Sequence, residues 1–425
     1  MIELINVDVL SYTLAIVMFL GMISYLFGER VHISYIPILI IVGMIFGPII
    51  GMINREMAHY IFDYMRVFGL VIILFTEGHD LKWPLLKKHM ATIGILDTVG
   101  LLITAVVAAF AFSAIFHAPF VVGFLFGAII SATDPATLIP LFKQHKVDEN
   151  IKTVIVTESI FNDPLGIVLT TLAIAFLLPS AQSAQFMESI AKYTTIYPAA
   201  VIFFLYEIGV SIAVGVGLGI LGYWLIRWLR LERTPVIYAL SLAFGGFFIG
   251  EYLQASGYLV ATTIGIVLGN HKIFFKRFGE SKNVQQALDF ELRFNETLSS
   301  LSTVFIFLLL GASLDLQVIE ANLFWGILIA LIVVFIARPL AGTTLLPLGK
   351  WSWREYLFIS FEGPRGVVPA ALASLPLSLG RLHHNPQLIQ WGETILSVTV
   401  IVVLTSVILE TVWVGYLKKT LLQNA

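Results

Sequence analysis

The chain has 425 residues, of which 58% are hydrophobic and 12% are charged, and its formal net charge is −2. A mean hydropathy of +0.92 and about half the charged fraction of soluble proteins exclude a soluble globular protein, and the balanced charge gives no sign of a nucleic-acid partner. Because the chain has no cysteine, it has no disulfide framework, thiol nucleophile or thiolate metal site.

Thirteen segments are apolar enough to cross a bilayer, which takes about 20 helical residues. In chain order they are 8–27, 34–53, 58–77, 90–116, 119–142, 151–179, 198–228, 234–252, 255–270, 290–313, 320–345, 354–379 and 391–417. Proline and glycine interrupt the second, fifth and twelfth, and the ninth is short. The sequence therefore predicts an all-α polytopic membrane protein with a single transmembrane domain over 1–425.

The Lys and Arg residues of the loops predict the orientation in the membrane. With the N-terminus outside, most of the 25 basic residues fall in inner loops, and the outer loops hold only Arg55, Lys192 and Arg381. We therefore expect a multi-pass protein of the cell membrane with a cytoplasmic C-terminus.

Segments 4–6 and 11–13 share an arrangement in which the middle helix is broken. The breaks are Asp134-Pro-Ala-Thr137 in the fifth segment and Glu362-Gly-Pro-Arg-Gly-Val-Val-Pro369 in the twelfth. The two triplets have opposite topology, and paired broken helices of this kind are typical of inverted-repeat transporters with a site at mid-membrane.

Two aspartates, Asp134 and Asp163, each precede a proline inside these apolar segments. An ionisable group at that depth costs about 2.5–3.5 kcal/mol on insertion scales, so it usually has a function. The structural alternative is helix capping, since Asp followed by Pro is a good start for a helix.

Polar residues of the sixth segment extend this candidate site. Positions i and i+4 share a helix face, so Glu158 lies above Asn162 and Ser159 above Asp163. Ser159, Asp163, Asp134 and the Thr133 carbonyl offer the oxygen ligands that a hard cation prefers. Two nearby carboxylates titrate as a coupled pair, so such a site can hold either protons or a cation.

Two arginines lie within apolar segments. A buried guanidinium needs a carboxylate partner, and we expect Arg338 to pair with Glu158, although it could instead extend to the inner surface. Arg365, at the break of the twelfth segment, is expected to neutralise the carbonyl end of a half-helix opposite Asp134.

The remaining acids in the segments are harder to interpret. Glu77 and Asp97 could line a cytoplasmic approach to the site, or they could make simple helix-end contacts. No sequence neighbour indicates a role for four further glutamates, Glu207, Glu251, Glu296 and Glu410.

These motifs resemble those of the NhaP/NHE-type monovalent cation:proton antiporters, in a prokaryotic form, over essentially the whole chain. The resemblance rests on Ala132-Thr-Asp-Pro135, Glu158-Ser-Ile-Phe-Asn-Asp-Pro-Leu-Gly166, Ala337-Arg-Pro339 and Glu362-Gly-Pro-Arg-Gly-Val-Val-Pro-Ala-Ala-Leu372. It implies that Asp134, Asp163, Ser159 and the Thr133 backbone bind Na+, and that Glu158, Asn162 and Arg338 form a supporting network. Asn162 before Asp163 implies the electroneutral type, which exchanges one Na+ or Li+ for one H+.

The resemblance also implies an architecture. Helices 5 and 12 would cross at their breaks, and the protein would be a homodimer. The ion-translocating core would comprise 88–179 and 317–418, the dimerisation scaffold 1–78 and 230–314, and the linking helix 198–229.

Other functional classes remain as alternatives. A cation-coupled solute symporter or a channel would need further polar groups in the cavity. An intramembrane aspartyl protease normally has its second aspartate in Gly-x-Gly-Asp, whereas this chain has Phe161-Asn-Asp-Pro164. We therefore expect a transporter and no enzyme, with Na+ or Li+, protons and membrane lipid as partners, and no cofactor.

Overall fold

The structure is a computed structural model that describes residues 7–31, 33–230, 233–276 and 282–422. We number its helices in chain order: α1 Val7–Val31, α2 Tyr35–Ile49, α3 Arg55–Asp80, α4 Trp83–Phe116, α5 Phe120–Ser131, α6 Pro135–His145, α7 Glu149–Leu177, α8 Gln182–Ala191, α9 Ile196–Trp228, α10 Pro235–Tyr252, α11 Gly257–Gly269, α12 His271–Phe274, α13 Lys282–Ser313, α14 Leu316–Leu348, α15 Trp353–Phe361, α16 Val367–Leu382 and α17 Pro386–Leu422.

The helix pattern confirms the predicted all-α polytopic fold. Within the described ranges, nine helices are long and apolar enough to span a membrane, and four shorter apolar helices accompany them. The four shorter helices are α2, α5, α11 and α16, and they lie in the segments that proline, glycine or short length had distinguished. Each of the thirteen predicted segments therefore contains one of these helices.

Two helices begin earlier than the hydropathy pattern predicts. α4 begins at Trp83 and has Pro84 in its first turn. Proline is tolerated there because a backbone N–H in the first turn has no hydrogen-bond acceptor within the helix. α13 begins at Lys282, because its first turns are polar but contain no helix-breaking residue and bury Val284 and Leu288. Hydropathy detects the apolar part of a helix, so it misses such extensions.

Glycines bring α3, α11 and α13 into close contact with their neighbours. A Cβ at Gly78 of α3 would collide with the backbone carbonyl of Thr262 in α11, and one at Gly265 with that of Phe75 in α3. Gly43 of α2 and Gly311 of α13 meet in the same manner. Small residues allow such close backbone approach between membrane helices.

Each predicted triplet forms a packed group, with a different central helix in each, α5 in the first and α17 in the second. α4 packs on α5, which packs on α7, and α14 packs on α17, which packs on α16. The first helix of each triplet contains a five-residue π-helical turn, Leu96–Gly100 in α4 and Val333–Ala337 in α14. The predicted division into core, scaffold and linking helix is compatible with these contacts but stays a prediction. Its ranges include residues 1–6, 231–232 and 277–281, which lie outside the described residues.

The close contact between α3 and α11 predicts that Gly265→Ala destabilises the protein by about 1–3 kcal/mol, the usual effect of overpacking. Thermal unfolding of the purified protein in detergent measures the effect. Gly217→Ala in α9 is the matched control, because nothing lies within 4 Å of its added Cβ. An equal melting temperature for both variants would contradict the proposed close contact.

Candidate ion-binding site

Two helix breaks meet in the middle of the molecule. α5 ends at Ser131, the backbone is extended at Ala132, and α6 begins at Pro135. α15 ends at Phe361, the backbone is extended at Glu362, and α16 begins at Val367. Proline disfavours the helical conformation of the residue that precedes it. The chain therefore unwinds before Pro135 and again before Pro364.

Backbone groups join the two breaks directly. The Asp134 N–H donates to the Pro364 carbonyl at 2.8 Å. The Val367 N–H, at the start of α16, donates to Asp134 Oδ2 at 3.2 Å. A Cβ at Gly366 would collide with the Asp134 carboxylate, so glycine is required there. Asp134 therefore lies at the positive N-terminal end of the partner half-helix, where a carboxylate is stabilised.

Arg365 makes the reciprocal contact. Its Nη1 donates to the carbonyl of Ser131 at 2.7 Å and to that of Ala132 at 3.1 Å. These carbonyls end α5, and a cation at the C-terminal end of a helix is favourable. Arg365 therefore lies at a half-helix carbonyl end, as the sequence predicted, and its role in charge compensation stays a prediction.

Polar side chains of α7 hold Thr133 in the first break. The Thr133 N–H donates to Asn162 Oδ1 at 3.0 Å, and Asn162 Nδ2 donates to Thr133 Oγ1 at 2.6 Å. The hydroxyls of Thr133 and Ser159 are 2.9 Å apart. Asn162 Nδ2 also reaches Glu158 Oε1 at 3.3 Å. Thr133, Ser159 and Asn162 therefore form one buried cluster.

Asp163 lies beside this cluster and is only 3% exposed. No hydrogen-bond donor among the described residues reaches its Oδ1 atom. The carboxyl groups of Glu77, Asp134, Asp97 and Glu158 all lie within electrostatic range of it. A buried carboxylate oxygen with no donor and several acidic neighbours favours a positive charge, either a proton or a cation.

The predicted ion pair between Arg338 and Glu158 is present. Arg338 Nη1 and Nη2 lie 2.6 Å from the two carboxylate oxygens of Glu158, in a bidentate arrangement. Arg338 Nε also donates to the Glu362 carbonyl at 3.0 Å. The pair therefore links α14, α7 and the second break, and the alternative of an arginine that extends to the inner surface is wrong.

Asp97 and Glu77 lie on the helices expected to approach the site. Asp97 is on the π-helical turn of α4 and lines an otherwise mostly apolar cavity of about 610 Å³. That cavity extends from Trp83 to Phe161 and Leu165, which flank Asn162 and Asp163 on α7. One oxygen of Glu77 and both of Asp97 have no hydrogen-bond partner in the described part of the chain.

Sequence reasoning missed a second acidic pair beside the breaks. Glu410 Oε2 of α17 accepts the Gly363 N–H at 3.0 Å, and Ser406 Oγ, one turn away, accepts the Arg365 N–H at 3.1 Å. The fully buried Glu362 lies within electrostatic range of Glu410. The i, i+4 spacing of Ser406 and Glu410 in an apolar helix was the available signal.

The oxygen atoms gathered here suit a hard monovalent cation. The candidate donors are the carboxylates of Asp134 and Asp163, the Ser159 hydroxyl and Thr133. The sequence predicted the backbone carbonyl of Thr133 as the ligand, and its hydroxyl also lies in the cluster. Sulfur and imidazole ligands are lacking in this set, as expected for a cation of this class. No group of three or more His, Cys, Asp or Glu with metal-binding geometry occurs among the described residues.

The buried pair predicts that Glu158→Gln or Arg338→Met each lowers stability by about 3–5 kcal/mol, because each leaves one buried charge unpaired. The double variant should lose much less than the sum of the two. Thermal unfolding measures these values. The exposed pair Lys152–Glu149, at 3.2 Å, provides the control, since Lys152→Met should change stability by less than about 1 kcal/mol. Additive losses in the double variant would show that the two side chains do not interact.

Comparisons with known proteins agree with these features. The family model for sodium/hydrogen exchangers, transmembrane, matches residues 15–419. A relative named probable Na(+)/H(+) antiporter 2, from Methanocaldococcus jannaschii, is 32% identical over 96% of this chain and 98% of its own length. Na(+)/H(+) antiporter 1 from the same organism is 33% identical over 96% and 95%.

A solved structure is also similar to this fold. The sodium proton antiporter MjNhaP1 from Methanocaldococcus jannaschii at pH 8 superposes with a TM-score of 0.83 and 31% identity, over 98% of this chain and 99% of that one. With the family model matched over nearly its whole length, the chain belongs to the sodium/hydrogen exchanger family.

Proposed function

We propose that the protein exchanges Na+ or Li+ for H+ across the membrane, with both ions competing for Asp134 and Asp163. The observation that carries the proposal is the buried Asp163 oxygen that has no donor among the described residues. It lies beside the linked hydroxyls of Thr133 and Ser159 and close enough to Asp134 for electrostatic interaction. Two relatives named as Na(+)/H(+) antiporters support sodium and protons as the ions.

Competition follows from the electrostatics of the site. Two carboxylates in a buried environment repel each other when both are ionised, so a proton or a cation must be present. A cation that binds displaces the proton, and a proton that binds displaces the cation. If the site opens to only one side of the membrane at a time, this competition couples the two fluxes.

The supporting network keeps other charges out of the exchange. Arg338 neutralises Glu158 through two hydrogen bonds. Arg365 is committed to the carbonyl end of α5. Asn162, directly before Asp163, is neutral and holds Thr133. Asp134 and Asp163 are therefore the acids of the site that remain to trade one monovalent cation for one proton, which supports electroneutral exchange.

The cavity beside Asp97 provides the path by which ions would reach the site. It ends at Phe161 and Leu165, next to Asp163 along α7. Asp97 would attract cations within an otherwise mostly apolar wall, and Glu77 would do so from α3. The mostly apolar lining of this cavity does not favour a solute symporter, because it has few polar groups that could bind a solute.

The membrane arrangement belongs to the proposal as well. The bias of Lys and Arg among the loops supports a cell-membrane protein with its N-terminus outside and its C-terminus in the cytoplasm. The protein would work as a homodimer through α1–α3 and the α10–α13 region. The core would comprise the triplets α4–α7 and α14–α17, and no part of the proposal requires enzymatic chemistry.

The direct test is exchange in liposomes that contain a pH dye. In wild type, an imposed Na+ gradient should move protons, whereas Asp163→Asn should reduce the rate to that of empty liposomes, because the cation loses its carboxylate. Asp289→Asn is the matched control, since Asp289 is exposed on α13. Normal exchange by Asp163→Asn would refute the proposed site. Parallel gradients of Na+, Li+ and K+ would establish the preferred cation.

Electroneutral exchange predicts that the initial rate is independent of membrane voltage. Potassium and valinomycin can impose about 100 mV, which is worth about 2.3 kcal/mol for each elementary charge moved across the membrane. A voltage-sensitive dye confirms that the potential is present. An exchange rate that changes with the sign of the voltage would show that a net charge crosses.

A further inference from the structure

A second oxygen-lined cavity lies away from the broken helices. It has a volume of about 180 Å³ and is enclosed by α7, α8, α9, the end of α10 and the turn after it. Its polar lining consists of two carboxylates, two carboxamides and two hydroxyls, those of Glu207, Glu251, Gln182, Gln254, Thr171 and Ser183. None of the residues that line it, all of which are described, carries a positive charge.

Glu207 lies deep in this cavity and is 3% exposed. Its Oε2 atom has no hydrogen-bond partner among the described residues. An ionised carboxylate in such a place loses several kcal/mol of hydration, and it normally gains a partner of opposite charge. Sequence alone indicated no role for this residue, but the cavity shows where a positively charged ligand would bind.

Glu251 occupies the rim of the same cavity and lies within electrostatic range of Glu207. Its Oε1 atom accepts the N–H of Gly257 at 3.0 Å, which fixes the carboxylate on the start of α11. Gln254, in the turn that follows α10, has a φ of 58°, which is uncommon for a residue other than glycine. The rim is therefore held in place by backbone contacts and by a constrained turn.

We propose that this cavity binds a divalent alkaline-earth cation. Ca²⁺ takes six to eight oxygen ligands from carboxylates, amide carbonyls and water, and the lining supplies the first two kinds. One divalent ion neutralises both carboxylates, whereas a monovalent ion leaves one net negative charge in the cavity. Carboxamide and hydroxyl oxygens complete the coordination without further charge.

The site differs from the exchange site in its residues, although α7 contributes to both. It shares no side chain with the cluster around Asp163, and it joins α7 and α8 to α9 and α10. The start of α8 lines it, and the loop charges predict that α8 lies on the outer side of the membrane. Bound Ca²⁺ would therefore bridge α7, the last helix of the first triplet, and the long helix α9 from that side.

Isothermal titration calorimetry of the full-length protein in detergent, with Ca²⁺ as the probe, tests the proposal. We expect one site with a dissociation constant of about 10⁻⁴–10⁻³ M, the range of extracellular calcium sites. Glu207→Gln should weaken binding by about tenfold or more, the usual consequence of losing a charged ligand worth about 1.4 kcal/mol. Wild-type protein that binds no Ca²⁺, or Glu207→Gln with unchanged affinity, would overturn the proposal.

Two controls separate this site from the others. Glu296→Gln removes an acid on α13 that lies outside the cavity, and it should leave Ca²⁺ binding unchanged. Asp163→Asn should also bind Ca²⁺ normally, so a loss there would place the ion at the exchange site and overturn the proposal. If Glu207→Gln does not fold, as judged by its unfolding temperature without Ca²⁺, Glu251→Gln at the exposed rim carries the same test. Normal affinity in that variant would then refute the site.

Discussion

An unwound backbone inside a membrane must find its hydrogen-bond partners within the protein, and the crossing of the two breaks depends on this constraint. Each break supplies what the other lacks. Asp134 lies at the N-terminal end of α16, and Arg365 lies at the carbonyl end of α5. A hydrogen bond from the Asp134 N–H to the Pro364 carbonyl joins the two breaks. The charges that stabilise the crossing are the ones that a membrane would otherwise disfavour.

The distribution of charge around the crossing leaves the Asp163 carboxylate available to an ion. Both buried arginines have partners, Glu158 for Arg338 and two carbonyl oxygens for Arg365. Asn162 is engaged with Thr133. Asp163 is left beside them with an oxygen that no described donor reaches. A buried carboxylate oxygen that no described donor reaches, held beside neighbours that have partners, is suited to the proposed exchange of a proton for a cation.

Two further pairs of acids lie outside this cluster, and burial affects their charge in the same way. Glu362 and Glu410 lie together beside the second break, where Glu410 accepts a backbone N–H. Glu207 and Glu251 share the smaller cavity near α8. In both cases two residues far apart in sequence meet in space, and burial makes their negative charge costly unless a donor, a proton or a cation compensates. Paired acids are therefore the recurring feature of the interior.

The sequence by itself determined the all-α fold, the thirteen segments and the two broken helices, because hydropathy, proline and glycine act locally along the chain. The i, i+4 spacing also placed Ser159 with Asp163 on one helix face. Burial of a charge in an apolar segment correctly indicated a partner for Arg338, and Glu158 was the expected acid because Asp163 was assigned to the ion. The early starts of α4 and α13 were missed because polar helical turns have no hydropathy signal.

Tertiary structure decided what local patterns could not. Asp134 lies at the start of α16 and Arg365 at the end of α5, and both contacts require the two half-helices to cross. No spacing within either segment encodes that geometry. The pairing of Glu207 with Glu251, and of Glu362 with Glu410, likewise depends on how distant helices pack. Local propensity is a property of neighbouring residues, whereas the electrostatic environment of a buried acid is a property of everything that surrounds it in space.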